Sequence, residues 1–280
     1  MPRVKKYDEN DEPIAGYRLV SFLGEGQFGE VWKANEETTR KLVAIKIIDL
    51  SHSNSALKEL KALNLVINRN HPNLIPIFTA RLKDKHGSEI PLHKTDALKQ
   101  KGALRELVIA MGLGDKSLSA RLKELNPDGT DPAEFRGLPV DELLGYMQGA
   151  AKGIDFLNKA DHGLGTADGP IVHCDIKPDN MMIVSGEVQI ADCGVAVIIT
   201  PDVRQTKAAG SPAYSAPELT GNKPVPGTDQ YALAISYYEL RTGRLPFDEQ
   251  MGQLSIMLAH AEGRLDFTSP VLTDEDIKVG

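Results

Sequence analysis

The stretch HCDIKPDN at residues 173–180, followed by DCG at residues 192–194, is the strongest functional signal in the chain. It brings together two carboxylates, an ammonium group and an amide: Asp175, Asp192, Lys177 and Asn180. This concentration of polar side chains marks the stretch as the candidate catalytic segment. The other motifs are interpreted outward from it.

Two further motifs follow this segment. Residues 210–218 read GSPAYSAPE, and Asp229 lies at the start of a helix predicted over residues 228–242. Taken alone, Asp229 is explained simply as a helix cap, because aspartate is a preferred capping residue. The order of the motifs is what gives them a functional meaning.

A glycine-rich motif lies near the N-terminus. Residues 24–31 read GEGQFGEV, and such glycines let backbone N–H groups approach phosphate oxygens without obstruction by Cβ. An ordinary hairpin turn explains an isolated motif of this kind equally well. A dinucleotide-binding fingerprint would lead into a helix, whereas residues 30–34 continue as a strand. The sequence therefore favours a glycine-rich hairpin.

A lysine within an apolar strand comes next. Residues 43–46 read VAIK, and the ammonium group of Lys46 needs an anionic partner in such surroundings. The phosphates of ATP would serve. Glu59, on the charged face of a helix predicted over residues 55–68, could hold the lysine in place. Taken alone, Glu59 is better explained as a solvated surface residue.

In this order the motifs resemble those of the protein kinase family, of the serine/threonine type found in eukaryotic-like bacterial kinases. That family reads His-Arg-Asp in its catalytic loop and Asp-Phe-Gly at its metal-binding motif. The chain matches both with one substitution in each, Cys174 and Cys193. Lys177, two residues after Asp175, is typical of serine/threonine kinases. The resemblance covers about residues 17–250 and implies an α+β fold with two lobes.

The resemblance implies a role for each matched residue. Asp175 would accept the proton of the substrate hydroxyl, and Lys177 would steady the transferred phosphoryl group, with Ser211 contacting both. Asn180 and Asp192 would hold Mg²⁺. The residues that would bind ATP are Gly24, Glu25, Gly26, Gln27, Phe28, Gly29, Val31, Ala44, Lys46, Glu59, Met111, Leu113 and Met182.

Asp229 would, by the same resemblance, brace the backbone of the catalytic loop. The apolar members of the ATP set, among them Val31, Ala44 and Met182, are equally well explained by core packing. Residues 210–218 would close the activation loop and form a docking shelf for a peptide substrate.

Two substitutions depart from the family's pattern. Cys174 replaces an arginine that binds an activation-loop phosphate in many kinases, so we expect no such ordering, and Thr200 and Thr206 are interpreted as plain loop residues. Cys193 replaces a phenylalanine that packs against the Glu59 helix, a loss that costs about 3–5 kcal/mol in a packed site. A Cys174–Cys193 disulfide would need Cα atoms within about 7 Å and is not favoured.

The pattern of elements predicts one kinase domain in two lobes. Residues 1–13 are interpreted as a flexible tail before a domain at 14–280, with an N-lobe over about 14–111, a hinge over about 112–115 and a C-lobe over about 116–280. The N-lobe is predicted to be a small antiparallel β-sheet with one helix, and the C-lobe to be mainly α-helical.

The boundaries of individual elements follow from local patterns. Strands are predicted over residues 17–23, 30–34, 42–48, 74–82 and 104–111. A surface insertion is predicted over 83–102, and helices over 117–125, 139–158 and 228–242.

In the family, the residue matching Glu218 pairs with an arginine of a late helix, before which this chain ends at Gly280. We therefore expect a C-lobe that lacks its last helices. Either the chain is cut from a longer protein, the explanation we favour, or it is a degenerate kinase without those helices.

Composition bounds the remaining possibilities. Of 280 residues, 41% are hydrophobic and 25% charged, as in a folded globular protein. The net charge of −7 provides no basic field for nucleic acid, and no apolar run is long enough to span a membrane. The two cysteines fit a reducing compartment. We expect a cytoplasmic domain, alone or within a longer membrane-anchored chain, that itself contacts neither nucleic acid nor membrane.

The predicted function is transfer of the γ-phosphoryl group of ATP to a serine or threonine of a protein substrate, with Mg²⁺. A pseudokinase or nucleotide-binding scaffold is the main alternative, because of the two substitutions and the missing helices. Activity is favoured because all six matched residues of the family's catalytic set are retained: Lys46, Glu59, Asp175, Lys177, Asn180 and Asp192. A small-molecule phosphotransferase is disfavoured, because it has no need of the shelf at residues 210–218.

Overall fold

The computed structural model describes residues 6–26, 29–50, 66–67, 70–90, 104–128, 130–131, 134–159, 169–192, 196–199, 210–248 and 250–268. Several predicted features lie outside these ranges: Gln27, Phe28, Glu59 with its helix, Cys193, Gly194, Thr200 and Thr206. The chain divides into two compact units. The first comprises Met1–Asn70 and Ile75–Leu113, and the second comprises His71–Leu74 and Gly114–Gly280.

The first unit is built on a six-stranded antiparallel sheet. Its strands are β1 (Tyr17–Gly26), β2 (Gly29–Glu36), β3 (Leu42–Asp49), β4 (Ile77–Asp84), β5 (Glu89–Ile90) and β6 (Leu104–Met111). Neighbouring strands follow the order β1-β2-β3-β6-β4-β5. The antiparallel sheet predicted for this half of the chain is confirmed.

The two faces of the sheet carry separate apolar clusters, because successive side chains of a strand point to opposite faces. On β3, Ile45 and Ile47 join the cluster around Trp32, whereas Ile48 joins the cluster around Leu107. All five side chains are buried. Burial on both faces explains why β3 is apolar almost throughout.

Residues 6–14 lie against this sheet, which corrects the prediction of a flexible tail over residues 1–13 for the part that the structure describes. Tyr7 packs on the Trp32 cluster, and its hydroxyl donates to Glu106 Oε1 at 2.6 Å. The ammonium group of Lys6 forms an ion pair with the same carboxylate. The polar composition that suggested a tail therefore supplies partners for a buried acid.

Strand β4 begins later than predicted. The sequence predicts a strand over residues 74–82, but Leu74 belongs to the second unit and β4 starts at Ile77. Pro76 lies between them and has no N–H to donate to a sheet, which explains the late start. The first residues of the predicted insertion at 83–102 belong to β4 and, after a tight turn, to β5.

The second unit is mainly helical. Its helices are α1 (Leu118–Leu125), α2 (Val140–Leu157), α3 (Gly227–Thr242) and α4 (Gln253–Ala261). Its short strands are β7 (Lys116–Ser117), β8 (Ile171–Val172), β9 (Met181–Val184), β10 (Glu187–Ile190) and β11 (Val197–Ile198). The first three helices are confirmed close to their predicted bounds, whereas the sequence patterns do not predict α4.

A buried asparagine fixes the 71–74 segment to the rest of the second unit. Asn73 Nδ2 donates to the carbonyl of Val188 at 2.9 Å, and Asn73 O accepts from Ile190 N at 2.8 Å. A Cβ on Gly153 of α2 would lie 2.8 Å from Asn73 O, so the glycine permits close packing.

None of the helices within the described ranges is both long and apolar enough to cross a membrane.

Candidate active site

The candidate catalytic segment runs from β8 to β9 in the second unit. A 3-10 turn over Pro178–Asn180 follows Lys177, and the proline takes an early position where its missing N–H is not needed. Asn180 N donates to Lys177 O at 2.9 Å, and Ala191 N donates to Asn180 O at 2.8 Å. These backbone bonds fix the spacing between the lysine and the asparagine.

Asp229, in the first turn of α3, holds the backbone that precedes the turn. Its side chain is 0% exposed. Its Oδ2 accepts from His173 N at 2.7 Å and its Oδ1 from Cys174 N at 2.8 Å. Burial raises the pKa of Asp229, although His173 and the two backbone N–H groups act in the opposite direction. The predicted bracing contact is present, and a helix cap alone does not account for it.

The carboxylate of Asp175 is held by three donors. Ser211 N donates to Oδ1 at 2.9 Å, and Asn180 Nδ2 donates to Oδ2 at 2.9 Å. Lys177 Nζ lies 3.2 Å from Oδ2 and also donates to Ser211 Oγ at 2.7 Å. The predicted contacts of Ser211 with Asp175 and Lys177 are therefore present. Together they give the carboxylate one fixed orientation.

The close approach of residues 210–218 depends on Gly210. A Cβ at this position would lie 2.3 Å from the carbonyl oxygen of Cys174, which is far inside van der Waals contact. Any other residue would push Ser211 away from Asp175. The glycine that opens the GSPAYSAPE motif is thus required by packing within the second unit.

Cys174 occupies an unusual backbone conformation for a residue with a side chain. Its φ is 64°, in the left-handed region that residues other than glycine rarely adopt. The thiol is buried and donates to Val172 O at 3.6 Å. Burial raises its pKa, and the charges of Asp229, Asp175 and Glu218 add to the effect. Cys174 is therefore a weak nucleophile. A disulfide with Cys193 would involve a residue outside the described ranges.

Oxygen donors of the kind that bind Mg²⁺ occur at Asn180 and Asp192. Asn180 Nδ2 donates to Asp175 O at 2.8 Å and to Asp175 Oδ2 at 2.9 Å, so both amide hydrogens are used. Its Oδ1 accepts no hydrogen bond from the described residues and is available to a cation. Asp192 adds a carboxylate, and the backbone of this residue lies in the left-handed region with φ 59°.

These two residues fit a cation that shares its coordination with a substrate. The described ranges contain no group of three or more His, Cys, Asp or Glu side chains placed to hold a metal ion. A closed protein cage is therefore absent from that part of the chain. Mg²⁺ is commonly bound by one or two protein oxygens together with phosphate oxygens and water. The donor set at Asn180 and Asp192 is of that kind.

The glycine motif forms the hairpin between β1 and β2. The strands extend to Gly26 and from Gly29, so the hairpin is tighter than the predicted turn over residues 24–29. A Cβ on Gly29 would lie 1.9 Å from the carbonyl oxygen of Ile47, so this glycine is required by the sheet itself. Gly24 and Glu25 lie at the end of β1.

Lys46 lies on β3 and is only 5% exposed. Ala44 on the same strand is also buried. The other predicted nucleotide-binding residues in the described ranges are half-buried: Val31, Met111, Leu113 and Met182.

A family model described as a protein kinase domain matches residues 17–274 of the chain. The chain therefore belongs to the protein kinase family. Members of this family use ATP with a divalent metal ion, typically Mg²⁺, and act on protein substrates. The match confirms the resemblance and the α+β fold class predicted from the sequence.

The chain is similar to several named protein kinases. It is 26% identical to the serine/threonine-protein kinase GIN4 of Saccharomyces cerevisiae, over 95% of this chain and 22% of that protein. It is 26% identical to the carbon catabolite-derepressing protein kinase of Candida tropicalis, over 87% of this chain and 34% of that protein. The serine/threonine-protein kinase Pkn1 of Myxococcus xanthus is 26% identical, over 92% of this chain and 34% of that protein.

The chain thus spans between 22% and 34% of the length of these three relatives. All three are named as kinases, and none is named as a pseudokinase. The family match confirms the predicted class of protein, a protein kinase domain. The comparisons give no support to the scaffold alternative.

Proposed function

We propose that this domain transfers the γ-phosphoryl group of ATP to a serine or threonine hydroxyl of a protein substrate, with Mg²⁺ bound at Asn180 and Asp192. The observation that carries the proposal is the arrangement around Asp175. Three donors fix its carboxylate, and one of them, Lys177, also binds Ser211. Phosphoryl transfer depends chiefly on such positioning and on neutralisation of charge.

Asp175 is proposed to accept the proton of the attacking hydroxyl. Its Oδ1 accepts from Ser211 N and from no other group within the described residues, so a lone pair remains for the substrate. The hydroxyl oxygen bonds to the γ-phosphorus, the bond from that phosphorus to the bridging oxygen of ATP breaks, and ADP leaves with the electron pair. The proton passes to the carboxylate.

Lys177 is proposed to neutralise charge on the transferred group. Its ammonium group is 3.2 Å from Asp175 Oδ2 and 2.7 Å from Ser211 Oγ, so it lies beside the proton acceptor. An ammonium group has three donors, and two are used by these contacts. The third can meet a phosphate oxygen. This role requires the serine hydroxyl to keep the lysine in place.

The metal role falls to Asn180 Oδ1 and the carboxylate of Asp192. When bound, Mg²⁺ supplies positive charge that neutralises the phosphate oxygens. The chain's own contribution is orientation, because the two hydrogen bonds from Asn180 Nδ2 to Asp175 fix which atom of the amide is free. Asn180 therefore couples the metal position to the proton acceptor.

Further contacts to ATP are proposed at the residues that the family resemblance implies. They are Gly24, Glu25, Gly26, Gln27, Phe28, Gly29, Val31, Ala44, Lys46, Glu59, Met111, Leu113 and Met182. Lys46 is 5% exposed on an apolar strand, where phosphate oxygens would stabilise the charge of its ammonium group. We further propose a kinase domain over residues 14–280 that acts in the cytoplasm, where ATP is available.

The test is transfer of label from γ-labelled ATP to a generic basic protein, followed by identification of the phosphorylated amino acids. We expect Mg²⁺-dependent phosphoserine or phosphothreonine, lost when the metal is removed with EDTA and regained when Mg²⁺ is added back. Asp192→Asn should lose both transfer and Mg²⁺-dependent ATP binding, because one of the two metal donors loses its charge.

Each alternative outcome has a distinct meaning. Label in phosphotyrosine alone would contradict the serine/threonine class. Mg²⁺-dependent ATP binding by the wild type without any transfer would contradict the kinase activity and support the scaffold alternative. As a matched control, Asp155→Asn changes an exposed aspartate of α2 and should leave both properties unchanged.

A further inference from the structure

A buried histidine of α4 contacts the segment that follows Ser211. His260 is 2% exposed. Its ring is flanked by two aromatic rings in edge contact, Tyr231 with centroids 5.6 Å apart and Phe247 with centroids 5.5 Å apart. The kinase roles described above make no use of this residue.

Both ring nitrogens of His260 have partners. Nε2 lies 3.1 Å from the carbonyl oxygen of Ala213, and Nδ1 lies 2.8 Å from the hydroxyl of Tyr231. A carbonyl oxygen only accepts, so Nε2 must carry the hydrogen and donate it. Nδ1 of the neutral ring then accepts from the tyrosine hydroxyl. The two bonds define one tautomer and join α3, α4 and the residue 213 carbonyl.

The carbonyl that His260 binds is close in sequence to the catalytic contacts. Ala213 lies in a 3-10 turn over Pro212–Tyr214 that directly follows Ser211. Ser211 N binds Asp175 Oδ1 and Ser211 Oγ binds Lys177 Nζ. A shift of the turn would therefore be passed to both of these contacts through two residues of backbone.

A small cavity in the second unit, of about 10 Å³ and therefore with room for about one water molecule, borders the turn. Its lining includes Ser211, Tyr214, Ser215 and Asp229. Residues of the turn are half-buried rather than buried. The polar contacts that hold the turn include the bond from His260 to Ala213 O and the bond from the Tyr214 hydroxyl to Glu239 Oε2 at 2.6 Å.

We propose that His260 is a positioning residue for phosphoryl transfer, which holds the Pro212–Tyr214 turn, and through it Ser211, in register with Asp175. The proposal rests on the proposed kinase function. It assigns to α4 a role in the use of the protein substrate, because residues 210–218 resemble the substrate-docking shelf of the family. His260 acts through the turn and is not itself expected to touch substrate or ATP.

The bond from Tyr231 holds only while His260 is neutral. Protonation of Nδ1 would remove the acceptor of the Tyr231 hydroxyl, whereas Nε2 would keep its hydrogen and its bond to Ala213 O. Burial lowers the pKa of His260, while the carbonyls of Ala213 and Pro212 act in the opposite direction. Among the described residues, Tyr231 is the titratable group in contact with the ring, with its own pKa raised by burial and by Glu218. The bond from Tyr231 should therefore persist at neutral pH and be lost as pH falls below the ordinary histidine value of about 6.5.

The test compares His260→Phe with wild type in steady-state transfer to a fixed protein substrate. The variant keeps an aromatic ring but loses both hydrogen bonds, and we expect the KM for the protein substrate to rise about three- to tenfold. The KM for ATP should change less than about twofold. His260→Gln, which can still donate to Ala213 O, should recover most of the loss.

A pH series provides a readout that simple loss of packing would not change. The ratio of substrate KM values, wild type over His260→Gln, should rise as pH falls below about 6.5, because only in the wild type does titration remove the bond that anchors residue 260 to Tyr231. Titration of ATP and substrate affects both enzymes equally and cancels in the ratio. Hydrogen exchange of residues 211–219 should also be faster in His260→Phe at neutral pH.

The matched control is His71→Phe, a change of the same kind at a half-buried histidine of the second unit that stacks on Phe156. It should leave substrate KM and exchange of residues 211–219 unchanged. If the wild type transfers phosphate and His260→Phe has the same KM for the protein substrate, this inference is overturned and the kinase function is not. Faster exchange throughout the second unit would overturn it too, in favour of a packing role. Absence of transfer by the wild type would overturn both the inference and the kinase function.

Discussion

Two buried carboxylates, Glu106 in the first unit and Asp229 in the second, are satisfied in different ways. Glu106 is 3% exposed and is bound by the hydroxyl of Tyr7 and the ammonium groups of Lys6 and Lys83. Asp229 is 0% exposed and is bound by two backbone N–H groups of the catalytic loop. The pKa is lowered at Glu106 and raised at Asp229.

The opposite pKa shifts follow from the partners. Burial alone would raise the pKa of Glu106, but the hydrogen bonds from Lys6 and Tyr7 and the charges of Lys6 and Lys83 outweigh it. Asp229 has only dipolar backbone donors and the nearby His173 to oppose burial. Long side chains can follow a carboxylate that moves, whereas backbone N–H groups cannot. Glu106 therefore attaches residues 6–14 to the sheet, whereas Asp229 fixes the backbone conformation of the catalytic loop at His173 and Cys174.

The largest effect on stability is expected at Asp229. Asp229→Ala leaves two buried N–H groups without partners, at about 1–3 kcal/mol each, so we expect a loss of about 2–6 kcal/mol in the free energy of unfolding. The His173–Asp175 backbone should also loosen, with faster hydrogen exchange there than elsewhere in the second unit. Chemical denaturation and exchange measurements check the two parts separately.

The control for this change is Asp155→Ala, which removes an exposed aspartate from α2 and should alter stability by less than about 0.5 kcal/mol. Equal losses in the two variants would break the comparison. They would mean that the backbone donors of the catalytic loop find water or other acceptors when Asp229 is absent.

A smaller effect is expected at Glu106. Glu106→Gln keeps the size of the side chain but removes the charge that binds two lysines, and we expect a loss of about 1–3 kcal/mol at neutral pH. Because the folded state lowers the pKa of Glu106, its contribution is present above the ordinary value of about 4.3 and is lost as pH falls through the lowered pKa. Denaturation of both proteins from pH 7 to pH 3 should show the difference disappearing at low pH.

An exposed ion pair on the same sheet serves as the control. Arg81 and Glu89 lie 3.4 Å apart with side chains 45% and 49% exposed. Glu89→Gln should cost no more than about 1 kcal/mol, because water and salt screen such pairs. If Glu106→Gln costs as little as Glu89→Gln, residues 6–14 are not attached to the sheet through Glu106.

The features that the sequence predicts well are those with local causes. Apolar runs with β-branched residues in 42–48 and 104–111 predict β3 and β6, and the apolar spacing of α2 predicts that helix. The catalytic segment is recognised because its polar residues are close in sequence. The contacts of Ser211 and Asp229 are predicted through the family resemblance, and they are present in the structure.

The features that were missed depend on contacts between distant residues. Tyr7 binds a carboxylate 99 positions away, and His260 binds a carbonyl 47 positions away. The composition of residues 6–14 does not predict that they contact Glu106, a buried acid within the apolar strand β6. A single acid within β6, and a single histidine within the apolar helix α4, are the signals that could have indicated buried polar partners.

The position of β4 is a case of competition between two units. The apolar residues at 74–82 have the composition of a strand, but Asn73 and Leu74 bond with β10 of the second unit. Pro76 separates the two segments. Local propensity is overridden here because the 71–74 backbone already has partners elsewhere.

The role of Asp175 is tested most directly by Asp175→Asn beside the wild type, with phosphoryl transfer and ATP affinity measured on the same preparations. The amide cannot accept the substrate proton, so we expect the transfer rate to fall about 10²- to 10⁴-fold. ATP affinity should stay within about twofold, because no ATP contact is proposed for Asp175. Transfer by Asp175→Asn at the wild-type rate would contradict the account.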